Sequence, residues 1–185
     1  MRVALIVAAG ACAVLASCGG PETSQANNTQ ANISNDAQPA GAANAMVMLA
    51  PAPSKDDSLK IMHERHEGME SIGKNTKAIK RELGAGSPDL ATVRSSAATI
   101  ANLSQKASGW FPKGSGPELG KTGAKPEIWQ NQPDFAAKLH DFQAAAKGFN
   151  AAASSGDVSA IKARFGDLGQ SCKACHDKYR SEMHH

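Results

Sequence analysis

The chemistry of this chain is concentrated in Cys172-Lys173-Ala174-Cys175-His176. Two thiols three positions apart project from one helical turn. Both can then reach the two vinyl groups on one edge of a porphyrin. The next residue brings an imidazole beneath the ring, where it can bind iron axially. C-x-x-C-H is the attachment signature of a c-type haem.

Two other chemistries use a C-x-x-C pair: a redox disulfide and half of a zinc site. Zinc would need two further ligands at paired spacing. No second C-x-x-C exists, and His184 and His185 stand at the extreme C-terminus. A thioredoxin-like motif would need a βαβ context, which the pattern does not provide. His63-Glu64 does not continue as H-E-x-x-H, because His66 falls one residue short. Neither a nucleophile–base arrangement nor a Gly-rich phosphate loop is visible, so the chain does not read as an enzyme.

The N-terminus, Met1 to Ser17, has one basic residue followed by a short apolar run, the pattern of a secretory signal peptide. It leads into Leu15-Ala16-Ser17-Cys18, which resembles the lipobox of bacterial lipoproteins. That resemblance implies that Cys18 is acylated and becomes the first mature residue. The alternative is an ordinary signal that leaves Cys18 as a free thiol. Gly19 follows where an Asp would resemble an inner-membrane retention signal, so an outer-membrane anchor is expected. The expected location is the periplasmic side of a bacterial envelope. Cys12 leaves with the signal, Cys18 takes lipid, and Cys172 and Cys175 take haem, so no disulfide is expected. Residues 18–54 are poor in aromatic and charged side chains and rich in Ala, Asn, Gln, Ser, Thr and Pro; they read as a disordered membrane tether. Met46-Val47-Met48-Leu49 is its one apolar island.

Residues 55–185 remain for one domain. The chain's formal charge of +3 falls by one when Arg2 leaves, too mild a balance to imply nucleic acid. Four segments show helical periodicity. The first carries Leu59, Met62, Met69, Ile72, Ile79 and Leu83 and ends at Gly84-Ala85-Gly86. The second opens on Ser87-Pro88-Asp89, with Pro88 in the first helical position, and carries Leu90, Val93, Ala97, Ile100 and Leu103. The third follows Pro133-Asp134 with Phe135, Leu139, Phe142, Ala146, Phe149 and Ala153, and stops at Gly156. Asp157 caps the fourth, whose stripe is Val158, Ile161, Phe165, Leu168, Cys172, Cys175 and Tyr179. A macrocycle fixed on that stripe must lie within the bundle. The expected fold is all-α: an antiparallel up-down-up-down four-helix bundle with covalently bound haem. The long connection from about Gly109 to Gln132 carries Trp110, Phe111 and Trp129, expected to close one end of the core.

A single C-x-x-C-H on the last helix of such a bundle resembles the cytochrome c′ family. The likeness is closest over Ala124-Lys125-Pro126-Glu127-Ile128-Trp129 and over Phe165 to Arg180, and looser around Arg65-His66-Glu67-Gly68-Met69. Signal and tether lie outside it.

The resemblance implies one covalent haem c held by Cys172 and Cys175, with His176 as proximal iron ligand. It implies that Arg65 pairs with a haem propionate and that Arg180 covers the proximal face. Thr122, Gly123 and Lys125 match a stretch at the haem edge. Met69 matches the distal position. If it only packs there, the iron is five-coordinate and open to NO or CO. If its sulfur binds, the site is low-spin, like the electron-transfer cytochromes c-556. A third arrangement makes His66 or His63 the sixth ligand, although a lone helix histidine more often faces solvent. The partners implied are thus NO or CO, an unidentified electron donor or acceptor, the membrane through the lipid, and a second copy of the chain, since members commonly dimerise through their first two helices.

Overall fold

The computed structural model describes residues 53–182. The signal, Cys18, most of the tether with Met46–Leu49, and His184 and His185 lie outside the described residues.

Four long helices, α1 (Lys55–Gly84), α2 (Leu90–Lys106), α3 (Gln132–Ser155) and α4 (Val158–Tyr179), form the domain. No helix among the described residues is long and apolar enough to cross a membrane. α1 packs on α2, α2 on α3 and α3 on α4, in an up-down-up-down order set by short connections at the first and last turns. The first and last helices do not pack closely on each other.

Local chemistry explains the ends. The Ser54 hydroxyl accepts from Asp57 N at 3.2 Å and starts α1. Asp157 accepts from the amides of Ser159 and Ala160 and starts α4, as its sequence position suggests. Gly156 closes α3 at φ 80°, a left-handed conformation that favours glycine. The second helix differs from the sequence reading. Its cap is Asp89 rather than Ser87, so Pro88 precedes the helix instead of opening it. The carboxylate of Asp89 holds Ala91 N and the Thr92 hydroxyl together, which a serine two residues earlier could not reach. α3 begins at Gln132, just before Pro133.

The core takes its largest share from α3, where Phe135, Leu139, Phe142, Ala146, Phe149 and Ala153 are all buried. Val93, Ala97 and Ile100 of α2 and Ile161 and Leu168 of α4 complete its centre. On α1 the buried face is turned slightly from the expected one. Leu59 is exposed, and Ser58, Arg65 and Gly68 are buried beside Met62 and Ile72. The cause lies in the crossover between α2 and α3. Its Trp110 seats against α1 at Gly68, where any Cβ would fall inside the indole.

That crossover holds a 3-10 turn at Ala107–Gly109 and one helical turn at Glu127–Gln130. Trp110, Phe111 and Ile128 are buried and close the core at this end, as expected. An edge-on aromatic series runs from Phe111 to Phe135, with centroids 4.8 Å apart, and on to Tyr179 at 5.3 Å.

Candidate haem site

Cys172 and Cys175 lie on α4, are half-buried, carry free thiols and pack against the core. Burial pushes both thiols up; Cys175 reaches about 11, with Lys138 pulling slightly the other way. His176 follows and is exposed. Partial burial of its ring, then the charge of Arg180, lowers its basicity, and Asp177 offsets part of this. The neutral imidazole so favoured is the form that binds a metal.

Met69 of α1 is half-buried and packs against the same core as the two cysteines, together with Leu103, Trp129 and Phe165. His63 and His66 are exposed, and His63 faces Glu67 at 3.2 Å, so neither is brought to the core.

Arg65 is 5% exposed, a depth unusual for a cation. Its Nη1 donates to Trp110 O at 2.9 Å and Ser115 O at 3.1 Å. Its Nη2 donates to Ser115 O and to Thr122 Oγ1, both at 3.1 Å. The guanidinium carbon also lies 5.1 Å from the Phe111 ring centre and 5.9 Å from that of Trp129. Burial brings its pKa down to about 10, with the charge of Glu118 acting against the shift, so it stays cationic at neutral pH. Among the described residues, no carboxylate lies within ion-pair distance of it.

Thr122 and Gly123 form the half-buried end of the crossover and meet the end of α4. Ala124 and Arg180 form an isolated antiparallel bridge. Lys125 N donates to Tyr179 O at 3.0 Å, and Ser181 N to Gly123 O at 2.9 Å. Arg180 is exposed, and its amide donates to His176 O at 3.0 Å, closing the turn that carries the imidazole.

Some residues of this region give no sign in the sequence. Ser115 is fully buried, and its carbonyl takes both nitrogens of the Arg65 fork. Asp134 accepts from the Tyr179 hydroxyl at 2.6 Å and from Lys178 at 2.9 Å, tying the start of α3 to the end of α4. No spacing rule connects residues so far apart in the chain.

These residues fit a covalent haem. Two free thiols one turn apart are followed by a largely neutral imidazole. They stand on α4, which does not pack closely on α1, and the buried cation Arg65 has no carboxylate within ion-pair distance among the described residues. A zinc centre fits less well: among the described residues, no three His, Cys, Asp or Glu side chains gather as metal ligands.

A family model described as "Cytochrome C′" matches residues 60–180. The chain belongs to the cytochrome c′ family. Cytochrome c′ of Allochromatium vinosum is 36% identical over 121 residues, covering 64% of this chain and 78% of its own length. The structure of a cytochrome c′ with "an unusual ligand-controlled dimer dissociation" superposes with a TM-score of 0.63 at 31% identity, over 71% of this chain and all of that one. The nitric oxide complex of a point mutant of cytochrome c prime from Alcaligenes xylosoxidans gives 0.60 at 29% identity, over 72% of this chain and all of that one. This cytochrome c′ therefore has the family's four-helix bundle, and its cofactor is one covalently bound haem c.

Proposed function

We propose that this cytochrome c′ binds a small uncharged gas, NO or CO, at its haem iron and carries single electrons there, while tethered to the periplasmic face of the envelope. Haem c supplies a redox-active iron with a coordination position for a diatomic ligand. Cys172 and Cys175 would fix the macrocycle by thioether bonds, and His176 would be the proximal ligand.

The observation that carries this reading is the contrast between the two axial candidates. His176 is exposed, whereas Met69 is half-buried and packs against the same apolar core as the two cysteines. An apolar wall strips water and repels anions but costs a neutral diatomic little. The nitric oxide complex of the Alcaligenes relative supports the same ligand class. Optical titration of the ferrous protein with CO tests it. A broad high-spin spectrum that shifts on CO addition is expected; a split low-spin α band indifferent to CO would overturn it.

A second reading, a low-spin electron carrier of the c-556 type, draws on the same packing of Met69, whose thioether is a competent iron ligand. The spectrum separates the two.

The anchor rests on Leu15-Ala16-Ser17-Cys18. Acyl chains on Cys18 would hold the protein to the outer membrane, and residues 19–54 would let the domain move above it. Self-association through α1 and α2 is the remaining part of the proposal. The relative with ligand-controlled dimer dissociation supports it, and sedimentation with and without CO tests it.

A further inference from the structure

We propose that Arg65 and Thr122 are positioning residues for the turn of α4 that carries His176, acting through a continuous hydrogen-bonded strut. This rests on His176 as the axial ligand. All four η N–H directions of Arg65 are committed to the crossover, at Trp110 O, Ser115 O and Thr122 Oγ1. A carboxylate of a haem could therefore receive the Nε–H but not a bidentate fork. Most of what the buried cation does is hold chain to chain.

The strut can be followed atom by atom. Thr122 Oγ1 accepts from Arg65 Nη2 at 3.1 Å and from Ala124 N at 3.2 Å, so one hydroxyl joins α1 to the segment 122–125. That segment grips the end of α4 through Lys125 N to Tyr179 O and Ser181 N to Gly123 O. Arg180 N then donates to His176 O. On the other side the anchor is braced into a circuit. The Ser115 hydroxyl and the indole N–H of Trp129 both donate to Pro112 O at 2.9 Å, and the Trp129 ring lies over the guanidinium that holds Ser115.

A buried guanidinium whose four η donors are all used is hard to move without leaving carbonyls unpaired. The strut thus fixes where the last turn of α4 sits relative to α1, and so how the axial imidazole is presented. A lysine at 65 would keep the charge but lose the planar fork.

The test uses the holoprotein and two readouts: amide hydrogen exchange at Lys125 and Ser181, and the midpoint potential of the iron. Arg65→Lys and Thr122→Val should both speed exchange at these amides by at least roughly tenfold. Both should also shift the potential. Thr122→Ser, which retains the hydroxyl, should match wild type on both. Phe149→Leu, a core change at the opposite end of the bundle, should lower the melting temperature without shifting the potential. Wild-type exchange and potential in Thr122→Val would overturn the proposal. So would a wild-type Arg65→Lys beside a shifted Arg65→Gln, since charge alone would then be the role. Haem content separates the two inferences. A wild-type chain lacking one haem per polypeptide sinks the functional reading, and exchange at the two amides then decides the strut alone.

Discussion

Trp110 sits against α1 at Gly68, and the space its indole occupies is the space a Cβ would need. The ring is 5% exposed, and its carbonyl receives Arg65. One glycine thus admits the residue that seats the crossover. Gly68→Ala should force the indole out and cost about 1–3 kcal/mol, the usual range for overpacking, despite the better helix propensity of alanine. Thermal or denaturant melting measures it. A neutral or stabilising substitution would mean that the crossover yields easily.

The rings of Phe149 and Phe165 meet at 5.6 Å, and Phe149 is fully buried. Phe149→Ala should cost about 3–5 kcal/mol, since the cavity lies among helices that cannot easily collapse. The same variant, kept below its melting temperature, should show the wild-type optical spectrum.

Met69 is the side chain on which the open and closed readings of the iron diverge. Met69→Ala should leave a five-coordinate spectrum in place and speed CO association, because a side chain beside the entry is removed. Loss of low-spin character in this variant would instead identify sulfur as the resting ligand. Spectra of both forms, recorded side by side, decide between them.

Asp134 couples the start of α3 to Tyr179 and Lys178 at the end of α4. The Tyr179 hydroxyl, then Lys178, holds its carboxyl below the ordinary range. A depressed carboxyl contributes stability that is present above its unfolded value and is lost as pH falls through the folded one. The melting temperature should therefore drop on acidification below about pH 4, and Asp134→Asn should flatten that part of the curve. Between pH 6 and 8 the two proteins should show parallel behaviour.

Cys172→Ser combined with Cys175→Ser should abolish haem-dependent peroxidase staining of the denatured band. Cys18→Ser should move the protein from the membrane fraction to the soluble periplasmic extract while leaving haem content unchanged. Fractionation followed by mass measurement of the intact chain checks both.

Much of this architecture was legible in the chain. The third helix could be read residue by residue because its 4-3 spacing is clean and its interior face is phenylalanine, leucine or alanine throughout. Asp157 and Gly156 were equally plain, since capping depends on atoms within a few residues. Ser87 misled because both it and Asp89 are good caps, and the choice is made by which side chain reaches two donors, here one on each carboxylate oxygen of Asp89. The exposed Leu59 and buried Ser58 were beyond the pattern: a small rotation of α1 is dictated by Trp110, more than forty residues along. The C-x-x-C-H motif is visible in the chain at once, and the structure puts its two cysteines on the half-buried face of α4. The commitment of Arg65 to the crossover was hidden, because its acceptors are mostly main-chain carbonyls, and every residue has one.

The contact between residues 123–125 and the end of α4 is made by backbone atoms. Such a seam carries almost no signature in side-chain identity, and only proline at 125 or 181 would strip a donor from it. The side chains of Lys125, Arg180 and Ser181 can therefore change, altering the charge presented around the end of α4, while the seam itself stays put. Evolution, or an engineer, can retune what this protein meets in solution without unseating the end of that helix.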